Sequence, residues 1–178
     1  MTDATSTTDD EHWAPPRLLI GDVDLDHAGR LFVVHDRRGR VYRHEPLAGM
    51  AAVEHRYPAW ARGPFGLLEP ERELPASPGV YALVEQGAVR FVGAGVDLRL
   101  SFGSRGIGEI RRRDCDDPRR EDDLRVNAGV VAAALAGRTV DLYLTVTGRT
   151  TRMDRFLARD TAPREVAARL RALVADPW

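Results

Sequence analysis

The chain has 178 residues, 43% of them apolar and 30% charged, with a formal net charge of −1. That composition supports a packed core and excludes a wholly disordered chain. The longest apolar run, residues 130–136, falls far short of the roughly 20 residues a membrane helix needs.

Residues 1–16 are rich in Thr, Ser and Asp and end in Pro15-Pro16, which predicts a disordered tail. They lack the positive patch and apolar stretch of a signal peptide. Residues 17–75 read as a β-rich extension followed by a Pro-rich linker. Leu18–Ile20 is strand-like, and the runs 31–35 and 40–43 flank a turn at Asp36-Arg37-Arg38-Gly39. Asp22, Asp24 and Asp26 begin like a calcium loop. Its sixth and twelfth positions, however, hold His27 and Val33, so alternating acids on an exposed strand face explain them better. Six prolines between residues 46 and 78 forbid long regular structure there.

From residue 76 the pattern sharpens. Residues 79–85 alternate, with Val80, Ala82 and Val84 on one face and Tyr81 and Leu83 on the other. Gln86-Gly87 turns the chain into a second strand over 88–93. A short helix over 97–102 is broken by Gly103, Gly106 and Gly108. Residues 109–125 read as a turn of helix and a polar loop, and 127–136 as a helix closed by Gly137. Residues 139–147 alternate cleanly as a strand. A last helix spans about 162–175, with Thr161 as its cap and Pro163 in its first turn. This order predicts a small α+β domain over 76–178, with a central antiparallel or mixed sheet flanked by helices.

Charge and motifs narrow the chemistry. All 26 basic residues are Arg, the side chain that pairs bidentately with phosphate. Residues 1–75 carry 9 Arg and 13 Asp or Glu, a net of −4; residues 76–178 carry 17 and 14, a net of +3. The second figure permits a phosphate-rich partner without requiring one. The single cysteine, Cys115, excludes an internal disulfide framework and a multi-cysteine zinc site, and it suits a reducing, cytoplasmic setting. The five histidines form no metal-binding pair, and no phosphate loop or nucleophile elbow is present.

One constellation stands out. Gly79-Val80-Tyr81 is followed by Phe91-Val92-Gly93 and Asp97-Leu98-Arg99. Then come 105–108 (RGIG), Arg125-Val126-Asn127, the small-residue run 133–137, the strand 140–143, and Glu165 ahead of Pro177-Trp178. In order and spacing this resembles the GIY-YIG nuclease superfamily over residues 76–178. The resemblance implies hydrolysis of DNA phosphodiesters with one divalent metal, Mg2+ or Mn2+. Tyr81 would position the nucleophilic water, and Glu165 at the start of the last helix would hold the metal. An arginine on the first helix would neutralise the phosphate, and Asn127 would position a loop, touch substrate or cap its helix. The family pattern D-L-x-x-R, however, puts Ser101 where the arginine belongs. Arg99 lies two residues early, about 200° away around a helix. Arg105 lies one turn later and is the better candidate on the same face. Phe91 likewise replaces a tyrosine. The leading expectation is therefore a metal-dependent endonuclease acting on DNA. The alternative is a catalytically silent relative that binds nucleic acid or protein, with residues 17–75 open to a protein partner or a second copy. An unrelated small α+β binding domain is the third reading.

Overall fold

The structure, a computed structural model, describes residues 13–50, 52, 55–147 and 163–178. The fold is α+β, and among the described residues six strands form one curled antiparallel sheet. Strands β1 (Arg17–Ile20) and β2 (Val23–Val33) form one hairpin; β4 (Gly79–Glu85) and β5 (Ala88–Gly95) form another. Strand β6 (Val140–Val146) lies between β2 and β4, giving the order β1-β2-β6-β4-β5, and β3 (Leu68–Pro70) pairs with the far end of β2. Residues 17–33 and 79–146 thus share one sheet. Among the described residues three helices pack on it: α1 (Leu98–Ser101), α2 (Glu121–Leu135) and α3 (Pro163–Arg171).

Strand alternation sorts the side chains into two layers. Tyr81, Leu83, Phe91 and Leu142 pack on one face against Val126, Val130 and Val131 of α2. Val80, Ala82, Val92 and Tyr143 pack on the other against Ala167 and Leu170 of α3. Burying one apolar stripe of each helix on opposite faces makes three layers of this small chain. A third cluster, including Leu47, Phe65, Ile110 and Leu124, sits under the Pro-rich segment.

Several elements differ from the sequence expectation. Helix α2 begins at Glu121, six residues before 127. Its first turn, Glu121, Asp122 and Asp123, looked like a polar loop, but three carboxylates at a helix N-terminus complement its dipole. Helix α3 ends at Arg171, and the Thr161 cap lies outside the described residues. Residues 15 and 16, read as tail, are tied to the sheet. The Pro15 carbonyl accepts from the Tyr143 hydroxyl at 2.9 Å, and the Pro16 carbonyl accepts from the His27 amide at 2.9 Å.

Strand β2 is longer than its sequence suggests because it bends. Its register with β6 shifts between His27 and Arg30. Gly29 sits there at φ +101°, and a Cβ would lie 2.9 Å from Glu71 Oε2, so glycine is required on two counts. Glu71 accepts from the Arg30 amide at 2.9 Å and from its guanidinium at 2.9 and 3.3 Å. The Arg30 side chain and amide together hold the Glu71 carboxyl below its ordinary 4.5. A depressed folded value contributes stability above the unfolded value and loses it as pH falls through the folded one. Glu71→Gln is therefore expected to lower the thermal midpoint at pH 7, with the difference closing as pH falls below 4. An equal drop at pH 7 and pH 3 would count against this.

Candidate functional site

Tyr81 is the natural centre from which to build a site. Strand β4 turns its ring onto the α2 face, over the neighbouring strand, where it opposes Gly93 of β5. A Cβ at Gly93 would lie 2.3 Å from Tyr81 Cζ and 2.5 Å from its hydroxyl oxygen. Glycine there is the condition for the ring to lie where it does. Phe91 and Phe102 close the other sides, with ring centroids 6.1 and 4.9 Å away, so Tyr81 is 4% exposed. Burial, followed by the negative charge of Asp123, pushes its hydroxyl well above the usual tyrosine range, and Arg171 pulls weakly the other way. A neutral, enclosed phenol is a poor group for activating water at neutral pH.

The charged groups nearest this ring come from elements the motif did not point to. Arg171, the last residue of α3, reaches around the edge of the sheet. Its guanidinium stacks over Phe91 at 4.6 Å, donates to the Val92 carbonyl and pairs with Asp122 at 2.6 Å. Asp123 is held by Arg120 at 2.8 Å, and burial raises its carboxyl against that attraction. Arg120 also donates to the carbonyls of Arg105 and Gly106, at 2.7 and 2.9 Å, and so clamps the glycine turn onto α2. Nothing in the local sequence marks Arg171, Asp122 or Asp123 as neighbours of Tyr81. The only available signal was the acidic first turn of α2.

The other candidates are spread over the molecule. Ser101 tucks against β5, where a Cβ at Gly95 would lie 2.1 Å from its hydroxyl oxygen, and that hydroxyl donates to the Asp97 carbonyl at 3.1 Å. Helix α1 ends at Ser101, so Arg105 does not continue its face; it stands exposed in the glycine turn. Arg99 is exposed too, facing an acidic rim of Glu69, Glu71 and Glu73. Asn127 is fully buried inside α2, not at its cap. Its amide accepts from the Gly66 N–H at 2.9 Å and donates to the carbonyls of Gly66 and Ile107, at 3.1 and 2.7 Å. Glu165 is exposed in the first turn of α3, on the opposite side of that helix from buried Ala167. Since α3 covers the face of the sheet opposite Tyr81, Glu165 and Tyr81 do not converge.

A magnesium ion held by Glu165 and facing Tyr81 does not fit this arrangement, because the sheet separates the two side chains. Among the described residues no three His, Cys, Asp or Glu side chains gather to hold a metal, and no helix is long and apolar enough to cross a membrane. No protein-family model, curated protein or solved structure matches this chain.

Proposed function

We propose that this chain is a non-catalytic binding module on a GIY-YIG-like scaffold, and that its target is a protein rather than DNA. The observation that carries the first half is the separation of Tyr81 from Glu165 by the sheet. Cleavage needs a donor, a water-positioning group and a metal within contact of one phosphate. Here Tyr81 fills a core, Asn127 bonds buried backbone, and the Ser101 hydroxyl is spent on Asp97.

Charge pairing supports the second half. Arg30, Arg40, Arg90, Arg111, Arg119, Arg120, Arg125, Arg138, Arg169 and Arg171 each pair with a carboxylate. Arginines neutralised in place do not present the continuous positive surface that dominates nucleic-acid affinity.

The test is nicking of supercoiled plasmid in Mg2+ or Mn2+, with Glu165→Ala alongside. The expected result is no metal-dependent nicking above background and no difference between the two proteins. Nicking that Glu165→Ala reduces by about 10²–10³-fold would restore the nuclease reading. DNA affinity that falls steeply with salt would overturn the choice of a protein target.

A further inference from the structure

The sheet has two outer strands, and the chain treats them differently. Along β5, the Arg90 carbonyl accepts from the Trp178 amide at 3.2 Å, and the Val92 carbonyl accepts from the Arg171 guanidinium. The outer side of β3 is taken as well, because the Leu68 amide donates to the Gly108 carbonyl at 2.8 Å. Strand β1 has no such cover. The Pro16 carbonyl accepts from the His27 amide, and hydrogen-bonded pairs alternate along an antiparallel ladder. Leu18 and Ile20 therefore bond inward, to Leu25 and Val23, while Arg17 and Leu19 turn their N–H and C=O groups outward. Among the described residues nothing bonds to those four groups. The usual guards of an open edge are missing too. The strand has no bulge and no proline within it, and its one charge, Arg17, pairs with Asp26 at 3.5 Å. Trp13, just ahead of the strand, and Leu19 within it are 79% and 66% exposed.

We propose that β1 pairs with β1 of a second copy, antiparallel about a two-fold axis through Leu18, so that the sheet continues across a homodimer. An open row of N–H and C=O groups is completed by another strand, and this strand fits itself. With Leu18 opposite Leu18, Arg17 and Leu19 of one copy face Leu19 and Arg17 of the other. These are the residues whose groups point outward, so the pairing completes four hydrogen bonds. The side chains agree on both faces. On the α3 side, Leu18 packs against the cluster of Ile20, Leu25 and Leu170, and the two-fold axis sets it beside its own mate. On the other face, Leu19 lies next to Asp24, and Arg17 next to Asp26. Across the interface the row becomes Asp24, Leu19, then Arg17 and Asp26 of the second copy, and no like charges stand opposite one another. Asp24, which is exposed and has no ion-pair partner among the described residues, gains a cation two strands away. Joining two copies through one shared patch is the commonest form of symmetric assembly. The dimer does not depend on whether the domain cleaves DNA.

Sedimentation equilibrium of the full chain, from micromolar to near-millimolar concentration, measures the mass. The expected result is a reversible rise from the monomer mass towards twice that value. A four-residue strand makes a small interface, so the dimer is a weak one. Leu19→Pro is the deciding variant. The N–H it removes points outward, so the β1–β2 ladder keeps its bonds, and the dimer is expected to weaken at least tenfold. Leu19→Lys keeps that N–H but sets a cation opposite Arg17 of the second copy, and it is expected to weaken the dimer as well, whereas Leu19→Glu is not. Should the proline variant unfold, this charge pair of variants decides. Register is read by oxidising Leu18→Cys. A disulfide-linked dimer is expected, because residue 18 stands opposite its mate, whereas Cys115 of the unaltered chain, 2% exposed, forms none. A monomer at every concentration overturns the inference and leaves the edge to a strand of another protein. A dimer untouched by Leu19→Pro and Leu19→Lys overturns it too, as does one that Leu18→Cys fails to cross-link. None of these outcomes bears on plasmid nicking, so the inference can fail while the non-catalytic reading stands.

Discussion

Replacing Asn127 by alanine is expected to cost about 3 kcal/mol or more of unfolding free energy, because three hydrogen bonds vanish in a dry interior. Each backbone group left buried and unpaired costs roughly 1–3 kcal/mol, and the Asn127 amide serves the Gly66 N–H, the Gly66 carbonyl and the Ile107 carbonyl. No other side chain can take over at Gly66. A Cβ there would already meet Val33 and Val131 at 2.7 and 2.8 Å, so the backbone is pressed against its neighbours. Asn127 thus ties α2 both to the Pro-rich segment and to the glycine turn after α1. Denaturant unfolding of the variant measures the loss, and a change below about 1 kcal/mol would show that water replaces the amide. The prediction also separates two roles. A substrate-touching asparagine would be removable without much loss of stability, whereas this one would not.

How much of this was legible in the sequence depended on the range of the interactions involved. The β4–β5 hairpin and β6 were readable because alternation and a Gln-Gly turn are local signals. The pairing of Tyr81 with Gly93 was not: an unbroken register from that turn opposes Tyr81 to Val92, and the register shift between Leu83 and Val84 moves it to Gly93. The short helix read over 97–102 is α1, and the structure adds its cap: the Asp97 side chain accepts from the Leu100 amide at 3.0 Å. Helix α2 was cut short because its buried stripe, Leu124, Asn127 and Val131, runs through a stretch of charge and includes a polar residue. The site was less legible still. The facing of Tyr81 could be inferred, but its company could not: Phe102, Asp123 and Arg171 come from other elements 21, 42 and 90 residues further on. The placement of Glu165 depended on which face of the sheet α3 would cover, and no local pattern encodes that choice. The motif spacing is compatible with either face.

Gly93→Ala is expected to destabilise the fold by about 2–3 kcal/mol through overpacking, and Tyr81 supplies the reason. The new methyl would stand 2.3 Å from Tyr81 Cζ, and the ring cannot swing aside because Phe91 and Phe102 flank it. Tyr81→Ala alone is expected to cost about 3–5 kcal/mol, as for other large buried aromatic side chains. Combined, the two changes should cost about 1–2 kcal/mol less than their sum, since the methyl fills space the ring has vacated and no longer clashes. Tyr81→Phe gives the control. The nearest atom to the added methyl is Cζ, which phenylalanine retains, so Gly93→Ala should cost nearly as much in that background. Unfolding free energies of the two cycles check this, and strict additivity of Gly93→Ala with Tyr81→Ala would show that the ring does not rest on Gly93. Tyr81→Phe also separates a core tyrosine from a reacting one. In the core reading its loss is small and nothing else changes. In a nuclease the same variant would keep its stability and lose plasmid nicking, because a water-positioning hydroxyl contributes to the transition state and little to the fold.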